Sequence, residues 1–213
     1  FLYINMQVIS HRGYWKDVTE KNKATAFELS FSLGFGTETD LRDYLGKIVI
    51  SHDIAESDDL ALNELFAIFN KYDRNLSLAL NVKADGLQQK MKSILQEFEI
   101  QNYFVFDMSV PDTIGYIKEG LHFFSRQSEY EPNPVFYEQC KGIWLDAVTY
   151  NWYDTYIIKD HIRNNKKVAI VSPDLHKRDV FPLWERLKKD NINEMETVIL
   201  CTDIPEDAAI FFK

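Results

Sequence analysis

Ile9-Ser10-His11-Arg12-Gly13 opens, and Ile50-Ser51-His52-Asp53 closes, a stretch that carries Glu38-Thr39-Asp40 at its middle. At both ends a short apolar run, Val8-Ile9 and Ile48-Val49-Ile50, is cut off by a histidine beside a charged residue. Such a break is expected where a buried strand gives way to a loop, and loops at strand ends are where rigid scaffolds carry chemistry. Glu38 and Asp40 are two apart, so an extended strand points both side chains to one face. Two oxygens so placed suit one hard cation, or one cation and one phosphate.

Outward from this stretch, short β-rich runs alternate with helical ones. The strand-like runs are 7–11, 36–41, 76–83, 103–107, 121–126, 143–148, 168–172 and 197–202. Several are continuously apolar, as in Val168-Ala169-Ile170-Val171 and Val198-Ile199-Leu200, which fits strands buried on both faces of a parallel sheet. Helical stretches are expected at 24–33, 61–72, 88–98, 111–119, 134–139, 155–164, 180–189 and 206–212, with Pro111, Pro134 and Pro205 near helix starts. Eight strand-helix units predict a (β/α)8 TIM barrel. Tyr44-Leu45-Gly46-Lys47 reads as a turn, so a hairpin insertion follows the second strand and brings His52 back towards Glu38 and Asp40.

The 213 residues, 46% hydrophobic and 14% aromatic, suffice for one core of good size, and a single domain over 1–213 is expected. A net charge of −9 disfavours nucleic acid as a partner, because a binder needs a basic face to displace counterions. No window has the apolar length of a membrane span and no signal-peptide pattern is visible, so a cytoplasmic protein is expected. Phe1 to Asn5 read as either an added leader from cloning or a processing scar, with Met6 as the native start. Cys140 and Cys201 are expected as two reduced, buried thiols.

A lone histidine at a strand end is more often structural than catalytic. Two of them flanking an acidic strand shift the balance, since one imidazole can take a proton from an attacking hydroxyl while the other gives one to a leaving oxygen. Glu38 and Asp40 could instead cap helices or pair with Arg42 and Lys47, but on one face they repel unless a cation lies between them. Asn81 can lend an amide oxygen to the same ion, and Lys83 a point charge to a phosphate oxygen. At later strand ends, Arg126 is a second phosphate contact or an ion-pair partner of Glu129 or Glu131. Trp144 stacks on a substrate or fills the core. Asp107 is a spare carboxylate.

These elements resemble the glycerophosphodiester phosphodiesterases, a family whose barrels open with His-Arg-Gly. The resemblance rests on His11-Arg12-Gly13, Asn22, Ala26-Phe27, Gly34, Glu38-Thr39-Asp40 and His52-Asp53, in the family's order and at similar spacing. It extends to Asn81-Val82-Lys83 and, in its last strand and loop, to Cys201-Thr202-Asp203-Ile204-Pro205. The resemblance implies a metal-dependent phosphoric diester hydrolase of lipid metabolism acting on a small glycerophosphodiester-like substrate. It implies His11 and His52 as the acid/base pair, Glu38, Asp40 and Asn81 around a divalent cation (Mg²⁺ or Ca²⁺), and Arg12 and Lys83 on the phosphate. Two departures stand out: Lys21-Asn22-Lys23 replaces Glu-Asn-Thr, and Asn81 replaces the glutamate of Glu-x-Lys. The second removes a negative charge and motivates an alternative, a phosphate-binding module with weakened turnover. A third reading is a lyase-like transphosphorylation that stops at a cyclic phosphate.

Overall fold

The computed structural model describes residues 6–213; Phe1 to Asn5, and with them the expected remnant, lie outside the described residues. The strands are β1 (Gln7–His11), β2 (Gly36–Tyr44), β3 (Lys47–Ile50), β4 (Leu78–Val82), β5 (Tyr103–Phe106), β6 (Phe124–Gln127), β7 (Gly142–Leu145), β8 (Lys167–Val171) and β9 (Val198–Thr202). The helices are α1 (Ala24–Ser32), α2 (Leu62–Phe69), α3 (Gln88–Glu97), α4 (Val110–Glu119), α5 (Thr155–Arg163), α6 (Phe181–Lys189) and α7 (Pro205–Phe211). The sheet runs β5-β4-β2-β1-β9-β8-β7-β6, with β3 paired to β2. With β3 set aside, each strand lies beside its neighbour in sequence, the order of a (β/α)8 barrel.

The chain groups into two compact units, residues up to 10 with 124–213, and 11–123. In the second, β4 pairs in parallel with both β2 and β5, and β3 folds back antiparallel on β2. The turn between β2 and β3 puts Leu45 at φ 45° and Gly46 at φ 76°, the two left-handed positions a tight hairpin turn demands. Beyond β5 a single parallel bridge, Val105 to Phe123, precedes β6. Helix α2 buries Leu62, Leu65, Phe66 and Phe69, the i, i+3, i+4, i+7 stripe of an amphipathic helix. In the first unit, β1, β9, β8, β7 and β6 pair in parallel in that order. Apart from Lys167, the first residue of β8, both β8 and β9 are buried throughout, as their apolar runs require.

The expected helix at 134–139 is absent. Phe136 sits at φ 54°, a left-handed conformation that an α-helix excludes, and Gln139 and Cys140 both donate their N–H to its carbonyl in a turn. Ser125 Oγ holds the Val135 carbonyl at 2.7 Å, so the segment is tied down by side chains instead of a helical ladder. Cys140 and Cys201 are free and buried, as expected. No helix among the described residues is long and apolar enough to cross a membrane.

Candidate active site

The site is built at the start of the second unit. Arg12 (φ 63°) and Gly13 (φ 79°) are two successive left-handed residues, so the chain turns sharply as β1 ends. The turn is pinned from both sides: Arg12 N–H donates to the Glu38 carbonyl, and its own carbonyl accepts from Asn22 N–H, each at 2.9 Å. A Cβ on Gly13 would lie 2.7 Å from the Ala26 Cβ, and Gly13 N–H donates to Thr37 Oγ1 at 3.0 Å. Glycine is therefore required twice, for its φ and for the close approach of α1. That contact explains why the glycine and the Ala26-Phe27 pair occur together.

β2 presents Glu38 and Asp40 into the interior, where their side chains are 2% and 0% exposed. Asp40 is held by three groups: Arg12 Nε at 2.8 Å, Asn22 Nδ2 at 3.1 Å and Lys83 Nζ at 3.6 Å. Asn22 is fixed in turn by Thr39 Oγ1, which donates to its Oδ1 at 2.9 Å. β4 brings Asn81 into register with Asp40, and Lys83 follows directly. Arg12 and Lys83 thus set two positive side chains beside the acidic pair.

Glu38 lies 3.9 Å from His11 Nε2. Burial, reinforced by repulsion from Asp40, pushes its carboxyl well above the ordinary range, against the pull of Arg12, Lys83 and a hydrogen bond with Asn81. Glu38 Oε2, Asp40 Oδ1 and Asn81 Oδ1 are buried and accept no hydrogen bond from the described residues. Among those residues no cluster of three or more His, Cys, Asp or Glu could hold a metal; the set here is two carboxylates and an amide. Oxygen-only donors with unsatisfied lone pairs fit a hard divalent cation.

His11, Arg12, Glu38, Asp40, Asn81 and Lys83 thus come together, and His52 does not join them side chain to side chain. Its backbone is near, since Ser51 N–H donates to the Asp40 carbonyl at 3.0 Å and Arg42 Nε to the His52 carbonyl at 3.2 Å. Its ring, however, is 46% exposed and meets Asp53 at 3.0 Å. Arg126 and Trp144 belong to the other unit: Arg126 Nε is 3.7 Å from Glu131, one of the two pairings weighed above, and Trp144 is buried. Asp107, at φ 65°, lies just past β5. Asn22 is the residue whose role the sequence understated, although its position in the motif was the available signal.

No protein-family model and no curated protein matches the chain. Solved structures do. A glycerophosphodiester phosphodiesterase from Agrobacterium tumefaciens superposes with TM-score 0.70 at 12% identity, covering 97% of this chain and 98% of that one. The Thermotoga maritima glycerophosphodiester phosphodiesterase gives 0.64 at 17%, covering 96% and 97%. A Ca²⁺-dependent phosphatidylinositol-specific phospholipase C from Streptomyces antibioticus gives 0.57 at 10%, covering 100% and 98%. The chain therefore has, over nearly its whole length, the (β/α)8 fold on which these phosphodiesterase structures are built.

Proposed function

We propose that the protein is a phosphoric diester hydrolase acting on a small glycerophosphodiester-like substrate. The observation that carries this reading is the buried Glu38, Asp40 and Asn81 beside the half-buried His11, Arg12 and Lys83, with three buried oxygens that accept no hydrogen bond from the described residues. The glycerophosphodiester phosphodiesterases that share the fold support it. Arg12 and Lys83 bind the phosphate and neutralise the charge that develops on its oxygens. His11, beside Glu38, holds or takes the proton of the attacking hydroxyl or water. His52 is the complementary acid or base, delivered by rotation of its exposed ring away from Asp53. Glu38, Asp40 and Asn81 would hold a divalent cation (Mg²⁺ or Ca²⁺), which supplies Lewis-acid polarisation of a phosphoryl oxygen when bound.

Hydrolysis of bis(4-nitrophenyl) phosphate and of glycerophosphocholine, with EDTA or with added Mg²⁺ or Ca²⁺, tests the reading. Activity that requires the cation and falls at least 100-fold in His11→Ala supports it. A second reading, a phosphate-binding module without efficient turnover, is favoured by the 2.8 Å pair of Arg12 with Asp40 Oδ2, which offsets that carboxylate's charge without a metal. Phosphate binding by a parent inert on both diesters would establish it.

A further inference from the structure

Lys21 stands beside the candidate site with its charge uncommitted. Arg12 and Lys83 face Asp40 at 2.8 and 3.6 Å, so these two cations already have an acidic neighbour. Lys21 pairs with no carboxylate among the described residues. The acids that precede it are engaged by the chain around them. Asp17 accepts from Thr19 N–H at 2.9 Å and from Thr19 Oγ1 at 2.6 Å. Glu20 accepts from the N–H groups of Lys16 at 2.8 Å and Asp17 at 3.2 Å. Both belong to the capping box of the 3₁₀ turn Val18–Glu20, and the half-buried Lys21 ends that turn.

The place of Lys21 is fixed from two sides. Asn22, the next residue, donates its N–H to the Arg12 carbonyl at 2.9 Å and its side-chain amide to Asp40 at 3.1 Å. The Lys21 ammonium lies 4.3 Å from the centre of the Trp15 ring, whose Nε1 donates to the His11 carbonyl at 3.1 Å. A single indole therefore separates this ammonium from the backbone of His11, and every residue in the chain of contacts belongs to the unit 11–123. The negative face of the ring holds the ammonium there without neutralising it. The face of Trp15 that Lys21 covers is thereby closed to a quaternary ammonium, which would meet a like charge. An anion reaching the same place meets a half-buried cation with no competing carboxylate, the setting in which a charge-assisted hydrogen bond is strong.

We propose that Lys21, seated on Trp15, is a specificity-determining residue of the site, and that the diester it selects carries a second anionic group on its alcohol in place of a cationic headgroup. The proposal deepens the phosphodiesterase reading and rests on it for the first phosphate.

The test is calorimetric titration of the full chain with sn-glycerol 3-phosphate and with glycerol 1,3-bisphosphate, which adds the second anion. The bisphosphate should bind the parent about tenfold tighter. Lys21→Met keeps an apolar stem on Trp15 without the charge and should erase that margin, whereas Lys21→Arg keeps both charge and ring contact and should preserve it. Lys71→Met, which deletes the cation of an exposed pair with Glu28, should also preserve it. A parent without the margin, a margin that survives Lys21→Met, or one lost equally in Lys71→Met would overturn the proposal. Turnover of bis(4-nitrophenyl) phosphate, which has no second anion, separates it from the hydrolase reading. An active parent without the margin sinks the proposal alone, and an inert parent with the margin intact sinks the hydrolase alone.

Discussion

At Asn22 a single amide sets the orientation of Asp40. It accepts from Thr39 and donates to the carboxylate, so Asn22→Ala takes the acceptor from a buried hydroxyl and one of three holds from the buried Asp40. A loss of roughly 1–3 kcal/mol is expected in urea unfolding, with weaker phosphate binding because the released Asp40 no longer positions Arg12. Asn81 is the opposite case, a place where the site lacks a charge. Asn81→Glu puts a third carboxylate against the unpartnered oxygens of Glu38 and Asp40, and should tighten Ca²⁺ binding about tenfold or more by calorimetry. Unchanged affinity would mean that the ion does not sit among these three residues. Gly13→Ala meets two penalties, a left-handed backbone costing about 1–2 kcal/mol and overlap with α1. The thermal midpoint should fall by several degrees, and more than for the open Gly34, where nothing lies within 4 Å of an added Cβ.

Among the elements, the β2-β3 hairpin is the one whose turn chemistry is improvable. Leu45 occupies a left-handed position while 85% exposed, so its side chain is strained there and is nearly all in water. Leu45→Asn should stabilise the protein by about 0.5–1 kcal/mol in chemical denaturation, since asparagine tolerates that backbone. The hairpin was legible because Tyr44-Leu45-Gly46-Lys47 separates the strand-like runs 38–42 and 47–51 by a glycine suited to a turn. The false helix at 134–139 failed for the reverse reason. Its residues are passable helix formers behind a proline, and the left-handed Phe136 that breaks them is imposed by distant anchors such as Ser125, which no local pattern records.

Across the molecule, the strand end at His11 was readable because an apolar run gives way there to charged residues, and the two-residue spacing of Glu38 and Asp40 on β2 accounts for their joint burial beside it. Side-chain rotation was not readable: His52 has the same signature as His11, yet its ring is 46% exposed and meets Asp53 at 3.0 Å. Buried polar networks were equally hidden. His161, 6% exposed, meets the Tyr137 hydroxyl at Nδ1 (2.9 Å) and donates from Nε2 to Gln127 Oε1 (2.7 Å), a pattern that a neutral ring satisfies in full. Burial lowers its pKa from 6.5, opposed by Asp160. Its contribution is therefore complete above pH 6.5 and is lost as the pH falls through the lowered native value. The parent should lose more stability between pH 7.5 and pH 5.5 than His161→Gln, as read from urea midpoints at the two pH values.

The bridge between Val105 and Phe123 has a kinetic meaning. β4 is gripped by five residue pairs on one side and four on the other, whereas β5 has four on its inner side and beyond it this one bridge, with Val105 N–H donating to the His122 carbonyl. A ladder one rung long opens without disturbing its neighbours, so this amide should take up deuterium well before those of β4. The seam is where the sheet breathes first.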